Sequence, residues 1–315
     1  MEQQKISLVI PCYNEEEALP YLHSSLLAIA EKMDYAEFEL LLVNNCSHDG
    51  TLKLMREYAQ KDSRFKYISF SRNFGKEASM YAGLSYAGGD YVALLDADLQ
   101  DPPDLLPEMY RCVTQEGYDC AAAYRQNRKG EPFFRSMFAN VFYKLMGKIS
   151  NVNIMNGARD FRLMSRKVVN AILSLEESER FSKGIFGWVG FKTKWIPFEN
   201  MERVAGKTKL PFFSSLIYAF KGIVAFSTVP LVISSIAGLI TCIAAIIYTV
   251  AVIVKQAVWN EAVSGYASQM CVMLFGFGFT LLILGIIGQY LAQIYLEIKN
   301  RPKFIIEEIS EGLDS

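Results

Sequence analysis

The chain has 315 residues, 51% of them hydrophobic, and its 32 Lys and Arg nearly balance its 33 Asp and Glu, for a formal net charge of −1. This balance excludes a general nucleic-acid-binding protein, which normally carries a basic excess. The length allows one large domain with an appendage, or two domains.

The N-terminal third alternates short apolar runs with helical patterns. Strands are predicted at 6–10, 38–43, 67–70 and 91–95, and helices at 51–61 and 75–87. Asn14 is predicted to cap a further helix whose first turn holds Glu15, Glu16 and Glu17. This alternation predicts an α/β fold with a doubly wound, mostly parallel sheet. After Asp119 the pattern is less regular, with helices predicted near 132–148 and 165–173.

Two long stretches near the C-terminus carry no charge. They lie between Lys221 and Lys255 and between Glu261 and Glu297, and each exceeds the roughly 20 residues that span a bilayer. We therefore predict a hairpin of two transmembrane helices, at about 229–254 and 267–295. Since Lys255 is the only basic residue between these spans, the positive-inside rule predicts that both termini face the cytoplasm.

These patterns predict four regions in a multi-pass protein of the plasma membrane. Residues 1–210 would form a cytoplasmic α/β domain, and 211–227 an amphipathic segment at the membrane interface. The transmembrane hairpin occupies 228–297, and a cytoplasmic tail follows at 298–315.

Polar clusters follow three of the predicted strands. They are Tyr13–Glu15, Asn44–Asp49 and Asp96–Asp101. Ligands of open α/β sheets bind at the carboxyl ends of the strands. We therefore expect these clusters to form one site.

The last of these clusters, in Asp96-Ala97-Asp98-Leu99-Gln100-Asp101-Pro102-Pro103, carries the clearest chemical signal. Two carboxylates two residues apart at a strand end are suited to share a hard divalent cation that bridges substrate phosphates. The chain has only 2 His, which disfavours a zinc site. Oxygen ligands favour Mg²⁺ or Mn²⁺ instead.

Several motifs resemble those of the family 2 inverting glycosyltransferases, which have the GT-A fold. They are Pro11-Cys12-Tyr13-Asn14-Glu15, the acidic segment above, and Asp160-Phe161-Arg162-Leu163-Met164-Ser165-Arg166. The segment Ser71-Arg72-Asn73-Phe74-Gly75-Lys76 and the C-terminal hairpin further resemble the polyprenyl-phosphate glycosyltransferases. This group includes bactoprenol glucosyltransferases and dolichol-phosphate mannose synthases.

The resemblance implies roles for three groups of residues. The nucleotide pocket would contain Pro11, Tyr13, Glu15, Asn45, Asp49, Lys76 and Asp96. The catalytic residues would be Asp96, Asp98, Gln100, Asp160 and Arg162, with Asp98 and Asp96 at the metal. The acceptor phosphate and the donor diphosphate would meet Arg125, Arg135, Arg203 and Lys209.

The chain departs from the family pattern after the second strand. Where the family commonly has an Asp-Asp-Gly-Ser turn, this sequence has Asn44-Asn45-Cys46-Ser47. The Asn amide can still pair with a pyrimidine edge. Asp49 either contacts the base or caps the helix that begins at Thr51.

The predicted function is transfer of a hexose from a nucleotide sugar to undecaprenyl phosphate, for modification of a cell-envelope glycan. The expected donor is UDP-glucose or UDP-N-acetylglucosamine, and GDP-mannose is the alternative. A catalytically silent membrane module that binds nucleotide sugars is the alternative from another class. The expected partners are the donor, the lipid acceptor and the membrane, with no nucleic acid, and a homo-oligomer is a further expectation.

Overall fold

The computed structural model of the protein describes residues 3–126, 155, 157–178, 180–199, 227–259 and 265–313. The chain divides into two compact units. The first comprises Met1–Ala219 together with Arg301–Ser315, and the second is Phe220–Asn300. The first unit is therefore discontinuous in sequence, because the second is inserted into it.

The first unit contains an 8-stranded mixed sheet with the order β7-β5-β6-β4-β1-β2-β3-β8. Parallel pairs join β1 to β2 and β4, β2 to β3, and β5 to β7, while β6 is antiparallel to β4 and β5. The strands are β1 (Gln4–Cys12), β2 (Ala36–Asn44), β3 (Phe65–Phe70), β4 (Tyr91–Leu94), β5 (Cys120–Arg125), β6 (Ala158–Ser165), β7 (Thr193–Phe198) and β8 (Ile306–Ile309).

Helices cover both faces of this sheet. The helices of the first unit are α1 (Leu19–Lys32), α2 (Thr51–Lys61), α3 (Lys76–Tyr86), α4 (Leu106–Thr114), α5 (Arg166–Leu173) and α6 (Ser182–Trp188). Apolar side chains of α1, α2 and α4 join one core cluster with alternate residues of the strands, such as Ile6, Leu8 and Ile10. The helix α3 packs on the opposite face, so closely that a Cβ on Gly83 would collide with Cγ1 of Val9. The α/β fold with a doubly wound sheet is therefore confirmed.

One local prediction is wrong. Asn14 does not cap a helix, because α1 begins at Leu19 and Asn14 has a φ of 53°. Its Oδ1 instead accepts a hydrogen bond from the backbone N–H of His48, at 2.8 Å. A contact to a residue 34 positions away thus uses the group that would cap a helix. The predicted helix at 132–148 lies outside the described residues.

The second unit contains two long apolar helices, α7 (Val229–Trp259) and α8 (Tyr266–Ile298). Within them, Val229–Val252 and Val272–Ile298 are long and apolar enough to cross a membrane, with mean hydropathies of 2.4 and 2.1. Large side chains on both helices are well exposed, including Ile247 at 64% and Phe275 at 72%. Exposed apolar surface on this scale is typical of contact with lipid or with a protein partner.

Candidate active site

The site lies at the carboxyl ends of the parallel strands, where three turns begin. A residue other than glycine has a positive φ in each turn: Asn14 (53°) after β1, Cys46 (56°) after β2 and Leu99 (54°) after β4. Bulky residues rarely adopt this conformation, and functional sites are where it concentrates. The predicted polar clusters after β1, β2 and β4 thus follow strands that are neighbours in the sheet.

The turn after β4 orients the acidic residues. The backbone N–H of Gln100 donates to Oδ1 of Asp98 at 3.1 Å, across Leu99. The Oε1 of Gln100 accepts a hydrogen bond from Arg125 at the end of β5, at 3.3 Å. This contact brings Arg125, one of the residues predicted to bind phosphate, to the acidic turn.

Lys76, the first residue of α3, bridges two carboxylates, one in the turn after β4 and one on β6. Its Nζ lies 2.6 Å from Oδ1 of Asp96 and 2.6 Å from Oδ2 of Asp160. Desolvation lowers the pKa of the Lys76 ammonium, but Asp160 and Asp96 more than offset it, so this pKa is above its usual value. For Asp160, burial acts in the opposite direction and raises the pKa, but the charge of Lys76 more than compensates and holds this pKa below its usual range.

Register explains why Asp96 and Asp160 come together. In the antiparallel pair, Leu94 of β4 lies opposite Arg162 of β6. Asp96 lies two residues after Leu94, and Asp160 lies two residues before Arg162. Because β4 and β6 run antiparallel, the two aspartates come to the same edge of the sheet.

Arg159 and Asp101 form a second ion pair beside the first. The Nε of Arg159 lies 2.6 Å from Oδ1 of Asp101, and an Nη of Arg159 is 3.8 Å from Asp96. Asp101 is fully buried, and its Oδ2 has no hydrogen-bond partner among the described residues. Burial raises the pKa of Asp101 to about 6, aided by the charge of Asp96 and opposed by Arg159. Sequence analysis missed Arg159, and its one signal was its place just before Asp160.

Asn45 and Asp49, predicted in the nucleotide pocket, have defined protein partners. Asn45 accepts from the backbone N–H of Phe74 at 2.8 Å and donates to Oδ1 of Asn73 at 3.0 Å. Asp49 accepts from the backbone N–H of Thr51, the first residue of α2, at 3.1 Å. Burial raises the pKa of Asp49, but hydrogen bonds from Thr51 more than compensate and lower it. Of the two alternatives for Asp49, this contact favours a role at the helix start.

Arg162 is buried behind Asp160. Its guanidinium donates to the backbone carbonyl oxygens of Arg159 at 2.9 Å and Asp160 at 3.3 Å, and it lies 3.6 Å from the ring centroid of Phe186. A cavity of about 230 Å³ borders this guanidinium, lined also by Lys183 and Trp195. Arg162 therefore shapes the backbone that presents Asp160 and closes one wall of a neighbouring cavity.

The remaining predicted residues fall into two groups. Pro11 is the penultimate residue of β1, and Tyr13 and Glu15 follow the strand; these three residues are half-buried. The backbone N–H of Glu15 donates to Oγ1 of Thr51 at 2.8 Å, which ties the first turn to α2. Arg135, Arg203 and Lys209 lie outside the described residues.

The donor set fits a hard divalent cation. Within the described ranges, no three His, Cys, Asp or Glu side chains cluster as a metal site. Mg²⁺ commonly binds through only one or two carboxylates and completes its shell with water and substrate phosphates. The Lys76 ammonium held by Asp96 and Asp160 shows that this edge of the sheet stabilises positive charge. Asp96 and Asp98 therefore match the chemistry of Mg²⁺ or Mn²⁺.

Known sequences resemble the chain over almost its whole length. The putative glycosyltransferase CsbB of Bacillus subtilis (strain 168) is 42% identical over 308 residues, which cover 98% of this chain and 93% of that protein. The prophage bactoprenol glucosyl transferase homolog of Escherichia coli (strain K12) is 39% identical over 307 residues, covering 98% and 100%. The bactoprenol glucosyl transferase of Shigella phage SfII is 39% identical over 308 residues, covering 98% and 99%.

Solved structures resemble the chain more distantly. The mannosyltransferase PcManGT of Pyrobaculum calidifontis, in complex with GDP-Man and Mn²⁺, is 16% identical with a TM-score of 0.46, covering 95% of this chain and 88% of that one. Glucosyl-3-phosphoglycerate synthase of Mycobacterium tuberculosis, with Mn²⁺ and UDP-glucose, is 17% identical with a TM-score of 0.46, covering 70% and 78%.

A family profile settles the classification. The profile described as "Glycosyl transferase family 2" matches residues 7–173, which include the turns after β1, β2 and β4 and the whole of β6. The relatives of about 40% identity agree with it across nearly the full chain. The chain therefore belongs to glycosyl transferase family 2, and it is a glycosyltransferase whose mixed sheet has a GT-A-like fold.

Proposed function

We propose that this enzyme transfers glucose from UDP-glucose to a polyprenyl phosphate at the membrane surface. The observation that carries the proposal is the insertion of two apolar helices, α7 and α8, into the unit that holds the acidic site. Such an anchor keeps a soluble donor site beside lipid. The relatives named bactoprenol glucosyl transferases support both the sugar and the lipid class.

The donor would bind across the turns after β1, β2 and β4. Pro11, Tyr13 and Glu15 would line its nucleotide pocket, and Asp96 and Asp98 would hold Mg²⁺ or Mn²⁺. When bound, the cation offsets negative charge on the diphosphate. Lys76, already placed between Asp96 and Asp160, would supply a second positive charge at this edge.

The acceptor phosphate would meet arginine side chains. Arg125 is suited to this role because it contacts Gln100 in the acidic turn, and guanidinium groups bind phosphate in bidentate fashion. Gln100 would face the transferred sugar, next to this cation. We extend the same phosphate-binding role to Arg135, Arg203 and Lys209 on the resemblance alone.

The reaction would be a single displacement with inversion. A phosphate oxygen of the acceptor forms a bond to the anomeric carbon, while the bond from that carbon to the diphosphate breaks and UDP leaves. Because a phosphate monoester has a second pKa of roughly 6, the nucleophile is largely ionised at neutral pH. The chain therefore needs to position the acceptor and stabilise the leaving group, and no side chain has to remove a proton.

The membrane arrangement belongs to the same proposal. The catalytic region 1–210 and the tail 298–315 would face the cytoplasm, residues 211–227 would lie at the interface, and 228–297 would cross the bilayer twice. The stretches before and after the insertion belong to one compact unit, which supports placing both on the same side of the membrane.

A transfer assay with the full chain in lipid nanodiscs tests this function. Labelled UDP-glucose, UDP-N-acetylglucosamine and GDP-mannose would each be offered with undecaprenyl phosphate, with Mg²⁺, with Mn²⁺ or with EDTA. We expect a lipid-extractable glucosyl product from UDP-glucose that EDTA abolishes. A product from another donor would correct the sugar, and binding of a donor without any product would favour the catalytically silent module.

A further inference from the structure

The chain that follows α8 returns to the catalytic unit and lies against the loop that precedes Lys76. Strand β8 pairs antiparallel with β3, with Ile68 opposite Ile309 and Phe70 opposite Ile306. The pairing continues past the strand, because the backbone N–H of Ser71 donates to the carbonyl oxygen of Ile305 at 3.1 Å. The tail thus reaches the first residue of the loop 71–75.

Aromatic side chains extend this contact. The ring of Phe304 stacks on Phe70, with centroids 5.3 Å apart and an interplanar angle of 17°. Phe70 in turn meets Phe74 of the loop edge-to-face, at 5.7 Å. The ammonium of the preceding residue, Lys303, lies 4.8 Å from the ring centroid of Tyr81 in α3. The tail therefore touches both the strand before the loop and the helix after it.

The loop itself is held from inside by the polar contacts of Asn45. This side chain bonds the backbone N–H of Phe74 and the amide of Asn73, whose Oδ1 also accepts from the N–H of Gly75 at 2.9 Å. Gly75 has a φ of 93°, a conformation suited to glycine, and α3 starts at the next residue. A shift of Phe74 would therefore be transmitted over two residues to Lys76.

We propose that Phe304 is a positioning residue for Lys76. By stacking on Phe70, which contacts Phe74, it holds the loop 71–75 in place, so that the Lys76 ammonium stays between Asp96 and Asp160. The effect on catalysis rests on the function proposed above, while the effect on the loop does not. Phe304 lies a few residues after α8. The segment that follows the two apolar helices therefore also organises the acidic site.

Hydrogen exchange on the full chain tests the structural step without any substrate. In Phe304→Ala we expect the amides of Ser71, Phe74 and Gly75 to exchange about tenfold faster, because their hydrogen bonds open more often. Phe304→Tyr should restore protection, since it keeps the ring. Phe65→Ala is the matched control: it removes a buried ring from the opposite end of β3 and should leave these amides unchanged.

Kinetics test the catalytic step through a double-mutant cycle. Phe304→Ala should lower kcat/KM about tenfold in the otherwise unchanged enzyme, and less than about twofold when Lys76 is already Met. Equal losses in both backgrounds would overturn the link to Lys76, and unchanged exchange of the loop amides would overturn the proposal altogether. If exchange rises but no donor yields a lipid product, the proposed function fails and the positioning of the loop by Phe304 stands.

Discussion

Arg159 and Asp101 form an ion pair in which the Nε of one lies 2.6 Å from the Oδ1 of the other, and the carboxylate is fully buried. Removing one partner of such a pair leaves an uncompensated charge. We expect Arg159→Ala to lower the free energy of unfolding by about 3 kcal/mol.

Chemical unfolding of the solubilised chain, followed by circular dichroism, measures this change. Arg64→Ala serves as the control because Arg64 and Asp62 form an exposed pair at 2.6 Å, with side chains 42% and 24% exposed. Such a pair contributes at most about 1 kcal/mol. Equal losses in the two variants would contradict a special role for the Arg159–Asp101 pair.

Asp98 is expected to be required for chemistry more than for folding. Asp98→Asn keeps the shape and the hydrogen bond from Gln100 but removes a charge that would hold the divalent cation in the proposed function. We expect kcat to fall by about 100-fold or more, with the melting temperature nearly unchanged. Asp104→Asn, six residues along the chain, is the control, because its side chain is 78% exposed and its ion-pair partner Lys32, 3.7 Å away, is 61% exposed. Full activity in Asp98→Asn would exclude it as the metal ligand.

The low pKa of Glu39 predicts how the free energy of unfolding depends on pH. Glu39 is buried on β2, which raises its pKa, but hydrogen bonds from Ser7, Gly88, Lys66 and Lys5 outweigh burial and lower this pKa to about 2. Because the folded pKa is depressed below the usual glutamate value of 4.5, the stabilisation is complete above about pH 5 and is lost as the pH falls toward 2.

The comparison of Glu39→Gln with the parent chain isolates this contribution. At pH 7 we expect the variant to be less stable by on the order of 2 kcal/mol, and the difference to shrink steadily below pH 5. Glu37→Gln, two residues earlier on the same strand and exposed, should show neither effect. A difference between Glu39→Gln and the parent that is constant from pH 7 to pH 3 would show that Glu39 does not titrate as predicted.

The proposed topology predicts which side of the membrane each segment faces. In a background without the native cysteines, Cys introduced for Ser264 between the apolar helices should react with a membrane-impermeant maleimide in intact cells. Cys introduced for Glu311 in the tail should react only after the membrane is opened. Labelling of both positions in intact cells would contradict a hairpin with both ends in the cytoplasm.

Local sequence patterns were sufficient to predict elements whose structure depends mainly on their own residues. The helix predicted at 51–61 is α2 with the same bounds, and the charge-free stretches became α7 and α8. The polar turns after β1, β2 and β4 could also be located, since a strand that ends in carboxylates or amides leaves a clear pattern.

Contacts between distant positions were beyond the reach of the same patterns. Strand β8 was not predicted, because Ile306–Ile309 gains its partners only from β3, more than 230 residues earlier in the chain. Lys76 and Asp160 are 84 positions apart, and their pairing depends on the register of β6 against β4. Arg159 was missed for the same reason, since its partner Asp101 is 58 positions away.

The insertion of α7 and α8 before β8 sets the order in which a ribosome can complete the sheet. Chains emerge N-terminus first, so β3 is exposed as an open edge until both apolar helices have been synthesised. An open edge is a site for wrong pairing, and β8 is the strand that closes it. The catalytic unit can therefore be finished only after both apolar helices have been made, and the proposed membrane arrangement would tie maturation of the enzyme to delivery of the nascent chain to the bilayer.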